Sequence, residues 1–154
     1  MGGMRDRLRR LAKSRRASAA VEFAIVGPVL LLFSTGIYDY GTAMWQKMQV
    51  ANAARVGAIY VTTTGWNAAA VTQAVQGATG LAGITATPAP TQFCGCADAS
   101  LGIVSSACGS PCAGGDLASN YVKVTATKTY TFAVPIPGRA ASVTLSSTSL
   151  ARVQ

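Results

Sequence analysis

Four cysteines, Cys94, Cys96, Cys108 and Cys112, fall within nineteen residues of a 154-residue chain that contains no histidine. Thiols clustered in this way can be oxidised to disulfides or can hold a soft metal ion. A structural zinc site uses Cys-x2-Cys pairs or histidine. The spacing here is Cys-x-Cys and then Cys-x3-Cys, so oxidation is favoured and no metal is expected. Disulfides persist in oxidising compartments, which places this region outside the cytoplasm. Four cysteines permit three pairings. A nested arrangement, Cys94 with Cys112 and Cys96 with Cys108, suits an antiparallel return of the chain and is slightly preferred.

Without histidine, neither a Ser-His-Asp nor a Cys-His nucleophile can be assembled. The acids Asp39, Asp98 and Asp116 are far apart in sequence and match no motif, although Asp98 and Asp116 flank the cysteine loop. The glycines match no phosphate-binding fingerprint. No catalytic residue and no cofactor is expected.

The other chemistry-bearing stretch is Arg15-Arg16-Ala17-Ser18-Ala19-Ala20-Val21-Glu22-Phe23, where a basic segment passes through small residues into an apolar run holding one carboxylate. An acidic side chain at the centre of a membrane helix costs about 2.5 to 3.5 kcal/mol, less near the interface, and usually faces a partner. A cut between Ala17 and Ser18 would create a new α-amino cation and make Glu22 the fifth residue of the shortened chain. In parallel, axially staggered helices, the carboxylate of one subunit could then meet the terminal amine of another. Such a pair would specify register more than stability.

These residues must be positioned by a membrane helix. Arg5, Arg7, Arg9, Arg10, Lys13, Arg15 and Arg16 supply seven of the thirteen cations, and the first sixteen residues carry +6 of the net +8. The remainder is nearly balanced, so no nucleic-acid groove is expected, because such a site needs its basic residues on the folded domain. From Ala17 to Tyr38 the only charge is Glu22. About twenty helical residues cross the hydrocarbon layer, and the cations in front keep the N-terminus cytoplasmic, with contacts to membrane lipid. The helical pattern continues without proline past Gly41, and Met44, Met48, Ala51, Ala54 or Arg55, and Ala58 recur at the spacing of one apolar face. One helix is therefore expected from about Ser18 to Val61, with Pro28 free to bend it.

Thr62-Thr63-Thr64-Gly65 interrupts this pattern, and Asn67 can cap a second helix over about 68–77. The threonine- and proline-rich stretch 83–93 suggests an extended edge strand, and 94–115 reads as a glycine-rich loop held by disulfides. Residues 121–132 alternate as a half-buried strand does. Pro135-Ile136-Pro137-Gly138 supplies a turn, and a returning antiparallel strand runs from Ala141 past Ser149. The expected class is α+β: a basic leader (1–17), a transmembrane helix (18–40), its continuation outside the membrane (41–62), and a small antiparallel-sheet head (63–154).

The segment Ala20-Val21-Glu22-Phe23-Ala24-Ile25-Val26-Gly27-Pro28-Val29-Leu30-Leu31-Leu32, followed by Gly36-Ile37-Tyr38-Asp39-Tyr40-Gly41, resembles the N-terminal signature of TadE-like pseudopilins of the tight-adherence (Tad, Flp) pilus system. The closing strands are similar to those that end such proteins. The resemblance implies cleavage at Ala17 and Ser18 by a prepilin peptidase and an assembly role for Glu22 and Phe23. It also implies contacts with other pseudopilins and the inner-membrane Tad platform, in a minor pilin serving pilus assembly, adherence and biofilm formation. The chain departs from the family pattern at Ala17, where prepilin leaders usually carry glycine.

Three other readings compete. A secretory signal peptide also joins cations to an apolar stretch, but Glu22 and the helical continuation past Gly41 argue against it. An uncut signal anchor is another. The third is a single-pass tethered binding module, outside the cytoplasm, that never enters a fibre. Mass spectrometry of the mature protein is expected to find a chain of 137 residues starting at Ser18, the 154 less the seventeen of the leader. A full-length chain favours the tethered module, and a start near Ile37 or Met44 means secretion in soluble form.

Overall fold

The computed structural model describes residues 15–134, 138 and 140–153. The leader cations Arg5, Arg7, Arg9, Arg10 and Lys13, the side chains of Arg15, Arg16 and Ala17, and the turn expected at Pro135, Ile136 and Pro137 lie outside the described residues. The chain is α+β, a long N-terminal apolar helix followed by an antiparallel sheet domain with two disulfides. Its elements are α1 (Arg15–Thr64), α2 (Ala68–Gly77), β1 (Thr85–Ala86), β2 (Thr91–Asp98), β3 (Gly102–Ser105), β4 (Ser119–Thr131) and β5 (Ser142–Val153). Two compact units divide between Gly41 and Thr42.

The first unit is the N-terminal part of α1. Its helix passes through Pro28, and the large apolar side chains from Val21 to Ile37 are exposed on every side. A helix apolar all round has no preferred face for a small core, and in an aqueous protein it would be buried. Its few hydroxyls bond to the helix itself: Ser34 Oγ donates to Leu30 O at 2.8 Å and Thr35 Oγ1 to Leu32 O at 2.9 Å. Satisfied locally, these two hydroxyls need no partner from lipid.

In the second unit the same helix becomes one-sided. Val50, Ala53, Ala54, Gly57, Ala58 and Val61 are buried, at the three-and-four spacing of a single stripe. This corrects the expected face. Met44 is exposed and so is Met48, at 62 %. The stripe that packs is rotated toward the smallest residues, because the helix backbone approaches its neighbours closely. A Cβ built on Gly57 would lie 2.5 Å from Val75 Cγ2 and 2.9 Å from Val124 Cγ1. The spacing placed Ala54 and Ala58 on the packed face, where they are, and the methionines with them, where close approach instead selects glycine and alanine.

The end of α1 follows from its threonines and Gly65. Thr64 Oγ1 bonds back to Tyr60 O at 2.7 Å and Thr62 Oγ1 to Ile59 O at 2.8 Å. Gly65, at φ 92°, then donates its N–H to Val61 O at 3.1 Å, a left-handed stop that costs glycine little. Asn67 Oδ1 accepts from the Ala70 N–H at 3.1 Å and caps α2, whose Val71 and Val75 are buried.

All pairings in the five-stranded sheet are antiparallel. β5 pairs with β4 from Asn120↔Val153 to Thr131↔Ser142. On the opposite edge of β4 lie β2, through Thr91↔Lys123 to Gly95↔Ser119, and β1 at Thr85↔Thr127. β3 pairs with β2. The expected period holds in β4, where Val122, Val124 and Ala126 face the helical core that also takes in Tyr130 and Leu145. Lys128 breaks the apolar series, and its Nζ reaches Ala82 O at 2.5 Å.

Two further expectations are corrected. The stretch 83–93 forms no single edge strand, since only Thr85 and Ala86 pair before β2 begins at Thr91 and runs between β4 and β3. The cysteine region is no simple loop, because Cys94 and Cys96 sit within β2 and β3 returns beside it. Nor is the disulfide pairing nested: Cys94 joins Cys108 and Cys96 joins Cys112. β3 brings Ser106 opposite Cys94, where its N–H donates to Cys94 O at 2.9 Å, and Cys108 follows. A turn closed by Ser110 N–H on Ala107 O, with Gly109 at φ 75°, then reverses the chain. That second reversal carries Cys112 back along β2 to Cys96.

Replacing Gly57 by alanine adds about 1 kcal/mol of helix propensity but places a methyl group against buried valines, where overpacking typically costs 1 to 3 kcal/mol. Overlap is expected to win. Denaturant unfolding of the detergent-solubilised chain should show G57A less stable than the parent and the exposed M48A within about 0.5 kcal/mol of it.

Candidate functional site

The expected site is the start of α1. Ser18 and Glu22 lie one turn apart on one helix face, and Ser18 Oγ donates to Glu22 Oε1 at 3.4 Å. That is long for a hydroxyl–carboxylate bond, which closes to about 2.5–2.7 Å when strong. Ser18 is the only partner of the Glu22 carboxylate among the described residues. Phe23 beside it is 74 % exposed. Among the described residues the helix thus presents a carboxylate without a counter-ion, beside a large ring on an otherwise apolar surface. Ala17, the other side of the expected cut, is helical.

Asp39, which the sequence places at the outer end of the span, is only 8 % exposed. Tyr38, Tyr40 and Trp45 are exposed, a composition suited to a membrane–water interface. The helix holding these groups is long and apolar enough to cross a membrane.

In the second unit all four cysteines are disulfide-bonded, and among the described residues no cluster could hold a metal ion. The β2–β3 turn is organised by Asp98, whose Oδ1 accepts from Ser100 Oγ at 2.7 Å and from the N–H groups of Ser100 and Leu101 at 2.8 Å each. The turn leaves Leu101 exposed at its tip.

Sequence reasoning missed a cleft of about 400 Å³ beside the Cys96–Cys112 disulfide, whose lining includes Asp116, Leu117, Tyr121 and Arg152. The sheet register sets Arg152 opposite Tyr121, and the disulfide brings the loop bearing Asp116 beside β2. The only sequence signal for it was that Asp116 flanks the cysteine loop. Arg152 could be placed there only through the β4–β5 register.

The hydrogen bonds at Asp98, from the Ser100 hydroxyl first and then the Leu101 and Ser100 N–H groups, hold its carboxyl below the ordinary 3.8. The folded value is thus lower than the unfolded one, so this contribution is complete above about pH 4 and is lost as pH falls through the folded value. Carboxyl NMR titration should place the Asp98 midpoint below 3.8, and Ser100→Ala should move it upward.

No curated protein and no solved structure matches the chain. Residues 17–58 match the family model described as TadE-like protein. That match covers the part of α1 that carries Glu22 and goes on to bury Val50, Ala53 and Ala54.

Proposed function

We propose that this chain is a minor pseudopilin that takes part in assembling a Tad-type pilus for adherence and biofilm formation. A prepilin peptidase cuts it between Ala17 and Ser18. The observation that carries this reading is Glu22: one carboxylate, one turn beyond Ser18, on an exposed apolar helix within the TadE-like match. In lipid such a charge calls for a counter-ion, and a hydroxyl at 3.4 Å does not supply one. The α-amino group released on a neighbouring subunit does.

On this reading the helix spans the bacterial inner membrane, with the leader cations on the cytoplasmic side. The disulfide-stapled head lies in the periplasm or on the fibre, in agreement with its oxidised cysteines. Its partners are the peptidase, other pseudopilins, the Tad platform and membrane lipid. Its role is structural, with neither cofactor nor chemistry of its own. The second reading, a tethered binding module that stays outside the fibre, draws its support from the cleft beside Cys96–Cys112.

Glu22→Ala is expected to leave the protein in the membrane fraction, because it removes a charge from an apolar helix, and to abolish most fibre assembly. Immunoblotting of membranes and counting of fibres by electron microscopy measure the two effects separately. Normal piliation by the variant would overturn the assembly role.

A further inference from the structure

We propose that the cleft beside the Cys96–Cys112 disulfide binds a small zwitterion, with Arg152 taking its carboxylate and Asp116 its ammonium group. Among the described residues, Asp116 and Arg152 line one cavity, both are exposed, and neither side chain has an ion-pair or hydrogen-bond partner. Opposite charges that share a cleft without meeting leave room for a ligand carrying the complementary pair. Arginine suits the carboxylate end because its planar fork binds both oxygens.

The site is built from fixed parts. Arg152 is held by the β4–β5 ladder directly opposite Tyr121. Tyr121 is only 8 % exposed, and its ring lies 6.1 Å from that of Phe93. Asp116 belongs to a short return in which its carbonyl accepts the Cys112 N–H at 2.7 Å, while Cys112 is tied covalently to β2 at Cys96. The backbones that carry both charges are therefore fixed before a ligand arrives, while the two exposed side chains order on binding. A volume of about 400 Å³ lies within the range of small-molecule sites. The exposed Leu117 and the Tyr121 ring offer an apolar wall beside the charges, which fits a free amino acid with an apolar side chain.

The test uses the full chain in lipid nanodiscs, observed by NMR, with L-leucine as the probe beside two blocked forms. N-acetyl-L-leucine lacks the cation and L-leucine methyl ester lacks the carboxylate. Saturable shifts at Leu117, Tyr121 and Arg152 are expected with L-leucine, and binding at least tenfold weaker with either blocked form. Arg152→Gln and Asp116→Asn should each weaken L-leucine at least tenfold while leaving the remaining spectrum in place. Absence of saturable shifts, equal binding of a blocked form, or unchanged affinity in both variants would overturn the proposal. None of these results bears on fibre assembly, which is read through Glu22.

Discussion

The second unit depends on one close approach, that of the α1 backbone to α2 and β4 at Gly57. The six largest fully buried side chains are all valine, namely Val50, Val61, Val71, Val75, Val122 and Val124, and the rest of the helical stripe is alanine and glycine. Burying one valine fully contributes only about 1.5 kcal/mol, at the low end for apolar side chains. A core of such residues compensates by proximity, since dispersion needs atoms in contact and is forfeited across small gaps. The glycine allows that contact, and the sheet is aligned to it through alternate residues of β4.

A thin core explains where the disulfides lie. β3 is four residues long, and from 107 to 118 the chain has turns and one isolated bridge, Pro111↔Leu117, but no extended strand. This region adds no residue to the buried cluster around α1. Cross-links spanning 14 and 16 residues, each worth on the order of 3 kcal/mol in the chain-entropy view, take the place of burial there. The same cross-links fix the cleft wall, so rigidity and a binding surface arise from one covalent device.

The sequence was most legible where a local signal decides structure. Asn67 as a cap, Gly65 as a stop and the alternation of Val122, Val124 and Ala126 each act within a few residues, and α2 and the two long strands were readable from them. It was least legible where the decision is made across the fold. The helix face was assigned correctly at Ala54 and Ala58 but wrongly at Met44 and Met48, because spacing alone does not show that the packing partner demanded small residues at 53, 54, 57 and 58. Disulfide order depended on a second reversal at Ala107 to Ser110, which a single antiparallel return does not contain. Glu22 stood out because a lone charge in an apolar run is conspicuous, while Arg152 and Asp116 are ordinary surface residues until the sheet register and a cross-link bring them together.

The contact between Ser18 and Glu22 also bears on how assembly would be controlled. Residues four apart on a helix are neighbours, about 5–6 Å between Cβ atoms, so on the proposed reading the cation that cleavage would create at Ser18 would lie within one turn of the carboxylate of its own chain. Without a cut, that position offers among the described residues only a hydroxyl at 3.4 Å, which leaves the carboxylate a liability in lipid. After such a cut the subunit would carry both members of a pair. A neighbouring subunit would then have to compete with a partner already on the same helix, and the intermolecular pair would prevail where it is better aligned and drier than the internal one. On the proposed reading the electrostatics would thus reward axial register rather than mere contact, since a displaced neighbour would leave each helix to neutralise itself.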